Sequence, residues 1–357
     1  MIVTLEDIGY SDEFSKAFEA LVLKDAQPGR VTWQSAYSYR IMCENEEIAA
    51  QPTGKIKAGD LPAVGDWVAV RPAATGEVGT ILAILPRRSA FSRNAAGRTV
   101  NEQVVASNID EVLIVTDLDQ DFNLRRIERY ITLVYNSGAG PVVVLNKTDL
   151  AADVEAAVVK TEAVSPGVPV YAISAEEQLG IEQLKKHLGP GRTVAFLGSS
   201  GVGKSTIINR LLGTDRMEVG EVRETDGKGR HTTTHRELVI LPGGGAVIDT
   251  PGMREIQVWG DEDGLADAFP EIDALTAACH FRDCRHDTEG GCAVQNALES
   301  GRLDTARFES YMKLRAEFES LVHRRSQQAR IEEKREGKRF AKMLREVDRH
   351  NPKRKKP

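Results

Sequence analysis

No apolar run in this 357-residue chain approaches the ~18 residues that a membrane-spanning helix requires. The N-terminus carries Glu6, Asp7, Asp12 and Glu13 where a secretory signal would be basic and then apolar. The expectation is a cytoplasmic chain with no membrane partner. Cysteine is scarce, with four in all, and in that compartment so few thiols point to a metal site or free thiols rather than to disulfides. No internal repeat is present, so a solenoid is excluded. What the chain does have is ordinary for globular proteins: 41% hydrophobic and 28% charged residues, enough for a sizeable core in two or three domains.

Charge is unevenly spread. From His323 to Pro357, 14 Lys and Arg stand against 5 Asp and Glu. That local balance of +9, within a net charge of −6 for the whole chain, leaves −15 for the body. A basic tail on an acidic body points to a polyanionic partner.

The first 30 residues read as a polar or helical extension with no assigned chemistry. From about Gly29 to Ala106, Arg30–Trp33, Tyr37–Ile41, Asp66–Val70 and Thr80–Leu85 are short β-prone runs separated by Gly, Pro and Asn. That spacing predicts a small antiparallel barrel, of the oligonucleotide-binding type or another small barrel. Cys43 is expected in its core. Arg87, Arg88, Arg93 and Arg98 follow the last strand, beside Phe91, in a pattern compatible either with RNA contact or with a solvated charged loop. From 107 to 262 strands and helices alternate: Val112–Val115, a helix carrying Leu124, Ile127, Ile131 and Val134 on one face, Pro141–Leu145, a helix to Ala163, Val170–Ile173, and a helix from Ile181 to Leu188. This is the pattern of a parallel sheet covered by helices.

The next strand, Thr193–Leu197, leads into Gly198-Ser199-Ser200-Gly201-Val202-Gly203-Lys204-Ser205 and then a helix opened by Thr206. Strand, G-x-x-x-x-G-K-S loop and helix together are the phosphate-binding loop of nucleoside triphosphate enzymes. Its glycines let backbone N–H groups face the phosphates, aided by the helix N-terminus. Lys204 would reach the β- and γ-phosphates, and the Ser205 hydroxyl would ligate Mg2+. Upstream, Asn146-Lys147-Thr148-Asp149 closes a strand. A carboxylate at Asp149 can accept both the ring N–H and the exocyclic amine of guanine; Asn146 would brace the loop and the Lys147 stem would lie over the base. Ser174-Ala175 would offer backbone contact to the guanine oxygen. Downstream, Asp249-Thr250-Pro251-Gly252 would hold the metal through Asp249 and sense the γ-phosphate at the Gly252 N–H. Between them Gly229–His235 reads as a switch loop, with one threonine, assigned as Thr233, completing the Mg2+ shell.

In ordinary GTPases the phosphate loop comes first and N-K-x-D late; here the order is reversed. With a barrel in front and a cysteine cluster behind, the chain resembles the RsgA (YjeQ) family of circularly permuted, ribosome small-subunit-dependent GTPases over about Val31 to Arg315. The resemblance implies GTP and GDP as ligands, the immature small ribosomal subunit and its rRNA as partners, a role late in subunit maturation, and hydrolysis stimulated by the subunit. A monomer is expected. Met253 stands where Ras-like enzymes carry a water-orienting glutamine, and a thioether cannot orient water. His231 in the switch segment is the candidate for that role, as the resemblance also suggests.

Cys279, Cys284, His286 and Cys292 form Cys-x4-Cys-x-His-x5-Cys. Three thiolates and an imidazole make a closed tetrahedral set for one structural Zn2+, in a spacing that matches the resembled family. Helices are expected from Ala297 to Gly301 and from Arg307 to Val322. The expected division is an extension (1–30), an OB-like barrel (31–106), a permuted P-loop GTPase (107–262), a zinc-binding helical domain (263–322) and a basic tail (323–357). The rival readings are a P-loop ATPase or kinase with an accidental N-K-T-D, and a non-catalytic RNA-binding scaffold.

Overall fold

The β-prone runs near the N-terminus close on themselves. In the computed structural model, which describes residues 4–44, 46–56, 60–73, 77–94, 102–213, 236–249, 263–287 and 289–350, five strands make a barrel. They are β1 (Gln27–Ser35), β2 (Ser38–Met42), β3 (Glu47–Pro52), β4 (Trp67–Arg71) and β5 (Gly79–Ile84). Their order is β1-β2-β3-β5-β4, with β4 returning to β1; only β3 and β5 run parallel. This is the architecture of an oligonucleotide-binding barrel. Before it, a 3-10 turn (Glu6–Ile8) and α1 (Asp12–Glu19) pack Ile8 and Phe14 on Trp67 and Leu85. Each such fully buried side chain contributes about 1.5–3 kcal/mol of transfer free energy. The first 30 residues are therefore a structural part of the barrel's surroundings.

A ribbon, β6 (Ala90–Asn94) and β7 (Glu102–Ser107), leads to the larger sheet. Its elements are β8 (Glu111–Asp117), α2 (Leu124–Ser137), β9 (Gly140–Asn146), α3 (Val154–Val164), β10 (Val170–Ala172), α4 (Ile181–Leu184), β11 (Thr193–Leu197), α5 (Lys204–Leu212), β12 (Arg236–Ile240) and β13 (Ala246–Asp249). The strand order is β10-β9-β8-β11-β13-β12, and all are parallel except β12. Burial on both faces explains the unbroken apolar runs. Val112 and Ile114 enter one core and Leu113 and Val115 the other, as do Val143 and Leu145 against Val142 and Val144. Strand β12 also pairs antiparallel with β1 at Trp33–Glu237 and Gln34–Arg236, so the barrel and the parallel sheet form one 11-stranded sheet.

The C-terminal part is helical: α6 (Asp263–Ala268), α7 (Pro270–Ala277), α8 (Ala293–Glu299) and α9 (Thr305–His350). Helix α9 runs 46 residues, through most of the basic segment. The composition accounts for this: Arg, Lys, Glu, Gln and Ala are strong helix formers, and no proline occurs between Thr305 and Pro352. Among the described residues no helix is long and apolar enough to cross a membrane.

Candidate nucleotide site and cysteine cluster

Three adjacent parallel strands, β9, β8 and β11, end together at Asn146, Asp117 and Leu197. Ligands of open parallel sheets bind in the crevice beyond such carboxyl ends. The loop after β11 turns at Gly198 (φ 152°) and Gly203 (φ 95°) before α5 starts at Lys204. A Cβ on Gly198 would collide with the Val115 carbonyl, and one on Gly203 with the Asn146 side chain, so both positions require glycine. Lys204 Nζ donates to the carbonyl oxygens of Gly198 (2.8 Å) and Ser199 (2.5 Å), inside the loop it serves. Ser205 and Thr206 follow half-buried in the first turn of α5, and Val202 is buried beneath the loop while Ser200 and Gly201 are exposed.

Asn146 joins the earlier motif to the later one. Its buried carboxamide donates to the Val202 carbonyl (2.8 Å) and accepts from the Ala175 N–H (3.0 Å). Two elements separated by 56 residues thus share one hydrogen bond. The Ser174 hydroxyl, fully buried, donates to Asp149 Oδ1 (2.5 Å) and fixes a carboxylate that is otherwise exposed. Ala175 already gives its N–H to Asn146, so any contact of that N–H with a base would be shared. Arg210 on α5 donates to the Ala175 carbonyl (3.3 Å), tying the same loop to the phosphate helix.

Lys147 stands in the left-handed region (φ 60°) with Nζ 2.8 Å from Asp117 Oδ2. Burial raises the Asp117 pKa, but the Lys147 hydrogen bond and the N–H groups of Asp121 and Gln120 outweigh it and hold this carboxyl below its usual range. Motif reading passed over Asp117, and over Asp121 and Arg126 beside it. The available signal was the acidic run Asp117, Asp119, Asp121 directly after a buried strand.

Of the expected metal and switch groups, Ser205 lies in the site and Asp249 ends β13, adjacent to the phosphate-loop strand. His231, Thr233, Gly252 and Met253, with the side chain of Asp249, lie outside the described residues. The arginines after the barrel are engaged internally. Arg87 forms two bonds to the fully buried Asp66 (2.7 and 2.6 Å), Arg88 lies over the Phe14 ring, and Arg93 donates to Gln103 (3.1 Å). Arg98 lies outside the described residues.

The ligand atoms of Cys279, Cys284, His286 and Cys292 all lie within 4.8 Å of one another. Cys279 Sγ is 3.6 Å from His286 Nδ1 and 3.9 Å from Cys292 Sγ, and Cys292 Sγ is 3.6 Å from the same nitrogen. A tetrahedral zinc with Zn–S of about 2.3 Å places its ligands about 3.8 Å apart, so these separations and this donor set fit the ion. Helices position it: Cys279 follows α7 and Cys292 caps α8, while His286 takes φ 62° to turn inward. Cys43 is a buried barrel residue whose thiol burial pushes up to about 12, an inert core group.

The RsgA GTPase family model matches residues 84–259. The small ribosomal subunit biogenesis GTPase RsgA of Opitutus terrae is 49% identical over 329 residues, covering 88% of this chain and 90% of that one. The crystal structure of YjeQ from Thermotoga maritima superimposes with a TM-score of 0.63 at 28% identity, over 83% of this chain and 99% of that one. YloQ, a circularly permuted GTPase, shares the fold with a TM-score of 0.60 at 24% identity, over 83% of this chain and 96% of that one. With 49% identity to such a relative over 88% of its length, this chain belongs to the RsgA GTPase family.

Proposed function

We propose that this GTPase binds the small ribosomal subunit, acts late in its maturation, and couples subunit-stimulated GTP hydrolysis to its own release. The observation that carries the reading is the Asn146 bridge, because it bonds a guanine-type loop to a phosphate loop that follows it in the chain. An ATPase or kinase with an accidental N-K-T-D would have no reason to build that bond. Asp149 reads the guanine edge, with Ser174 orienting its carboxylate, and Asp117 holds the Lys147 stem for the base to rest on. The residues from Gly198 to Gly203 present N–H groups to the phosphates, and Lys204 offsets charge on the β- and γ-oxygens. Ser205, Thr233 and Asp249 supply the hard oxygen donors that would hold Mg2+, which neutralises charge on the leaving diphosphate.

Hydrolysis needs a water placed in line with the γ-phosphorus, whose bond to the bridging oxygen breaks to release GDP and phosphate. Met253 cannot hold that water, so His231 does so when the subunit is bound. Positioning supplies most of phosphoryl-transfer catalysis, so the free protein is slow. Cys279, Cys284, His286 and Cys292 hold one structural Zn2+, and the protein works as a cytoplasmic monomer. The barrel and the zinc domain contact rRNA, and the basic end of α9 adds phosphate contacts of steep salt dependence.

The test is single-turnover GTP hydrolysis with and without saturating small subunits. Wild type should gain about 10³–10⁵-fold from the subunit, the range for GTPases activated in trans. His231→Ala should bind GTP normally and lose the gain, whereas Lys204→Ala should lose binding itself. Full stimulation of His231→Ala would remove the histidine from the mechanism. An unstimulated wild type would remove the subunit.

A further inference from the structure

A polar chain leaves the guanine loop by a second route and arrives at the phosphate loop. Lys147 Nζ bonds the Asp117 carboxylate (2.8 Å), whose other oxygen accepts the N–H of Asp121 (2.9 Å). The Asp121 carboxylate pairs with Arg126 Nη1, and that same nitrogen donates to the Ser199 hydroxyl (2.9 Å) in the phosphate loop. The placement of Arg126 breaks a local rule. Arg125 and Arg126 occupy the first turn of α2, where the helix dipole favours acids, and that turn contains none. Arg125 is matched within the helix by Glu128 (2.7 Å), but Arg126 is matched by Asp121, before the helix begins. A local choice against propensity that is answered by a contact to a functional loop marks a residue kept for its position.

Helix α2 is itself anchored at a distance from the nucleotide. Glu128 bonds Arg307 (2.9 Å), Arg129 bonds Glu317 (2.6 Å), and the α6 residue Gly264 donates to Asn136 (2.7 Å). Arg126 is therefore delivered to the phosphate loop by a helix that the zinc domain holds.

We propose that Arg126 is a positioning residue for GTP hydrolysis: acting through Ser199, it holds the phosphate loop in register with the guanine loop and with the zinc domain behind α2. The inference rests on the assignment of this pocket as the hydrolytic site. The side chain acts on the loop and not on the nucleotide directly, so its removal should slow hydrolysis far more than it weakens binding.

The experiment compares Arg126→Ala, Arg126→Lys, Ser199→Ala and the double variant Arg126→Ala/Ser199→Ala in full-length protein. Fluorescent GDP titration gives affinity, and single-turnover hydrolysis gives the rate with and without small subunits. Arg126→Ala should keep GDP affinity within about threefold and lose about 10–100-fold in rate, the cost expected of a misplacement near 1 Å. Ser199→Ala should show the same pattern, and the double variant should be no slower than the worse single, because both remove one contact. Arg126→Lys should recover part of the rate. Equal losses of rate and affinity, multiplicative losses in the double variant, or wild-type rates in Arg126→Ala would each overturn the proposal. Intrinsic rates carry the comparison even where wild type is not stimulated, so failure of the subunit partner and failure of the Arg126 role give different results.

Discussion

Two arginines stand at the two borders of the nucleotide-binding sheet, and they are bonded in opposite ways. Arg30, on the barrel side, is 1% exposed and donates to the carbonyls of Gly65 (3.2 Å), Asn108 (2.9 Å) and Ile8 and to the Thr193 hydroxyl (2.8 Å), with its guanidinium 5.5 Å from the Trp67 ring. Burial pushes its pKa down to about 10, so it stays charged at neutral pH. Among the described residues its hydrogen-bond partners include no carboxylate. Arg307, on the side of the cysteine cluster, bonds Glu128 and both oxygens of Glu271, with the carbonyls of Val164 (3.0 Å) and Ala268 (3.0 Å) completing its shell. Its guanidinium lies 4.5 Å from the Phe269 ring. The first border is locked by backbone oxygens and continued by the β12–β1 pairing. The second border is held through ionisable side chains. A backbone cage cannot be re-matched by changing another side chain, whereas a charge pair can be neutralised on both sides. The barrel and the sheet should therefore behave as one body, and the C-terminal helices as a part whose seating is adjustable.

The largest effect expected is at Arg30. Arg30→Met strands three acceptors in a dry junction, since the Gly65 carbonyl keeps the Asn108 amide (3.0 Å), and leaving buried polar groups unpaired should cost about 3–5 kcal/mol. The loss should appear in urea unfolding followed by tryptophan fluorescence, since Trp67 lies against the substituted group. A change below about 1 kcal/mol would mean that the β12–β1 pairing alone joins the two parts. Arg307→Met should cost somewhat less, about 2–4 kcal/mol, because Glu128 keeps Arg125 as a partner. Here a second substitution should help: Glu128→Gln beside Arg307→Met removes a buried charge left with only the half-exposed Arg125 as partner and should restore part of the stability. If the double variant is no more stable than the single one, the Arg307 border is not held by charge pairing.

How far these features were visible in the chain depends on sequence separation. The phosphate loop and Asn146–Asp149 are contiguous, and each keeps its chemistry within eight residues or fewer, so residue types alone disclose them. The strands of the parallel sheet are equally open, because burial on both faces makes them continuously apolar. Arg30 and Arg307 give no such signal. Their partners Thr193 and Glu128 lie 163 and 179 residues away, and nothing about an isolated arginine tells a buried hub from a solvated charge. The barrel arginines err in the other direction. Arg87 belongs to a pattern compatible with RNA contact, yet its partner Asp66 turns it inward. Strand β3 escaped notice because Glu47 and Gln51 interrupt its apolar residues on the exposed face. The length of α9 was hidden by its charge, since a solvated helix and a solvated coil have the same composition until i,i+4 pairs such as Arg315–Glu319 are counted.

The smallest effect expected sharpens the comparison most. Arg129 and Glu317 join α2 to α9 at 2.6 Å, but their side chains are 33% and 44% exposed. Water and salt screen such a pair, and double-mutant cycles on exposed pairs return roughly 0.2–1 kcal/mol. Arg129→Ala, Glu317→Ala and the double variant should therefore give a coupling energy of at most about 0.5 kcal/mol in urea unfolding, vanishing at about 1 M salt, where the screening length is about 3 Å. The Arg307–Glu128 coupling, measured in the same way, should persist at that salt because both side chains are buried, at 7% and 0% exposure. If the two couplings fell together with salt, the C-terminal helices would be held by their surface charges, and Arg307 would owe its burial to the carbonyls of Val164 and Ala268. If only the exposed pair fades, the adjustable border has a core that salt does not reach, and any regulation of its seating must act through Arg307 and the helix that carries Glu128.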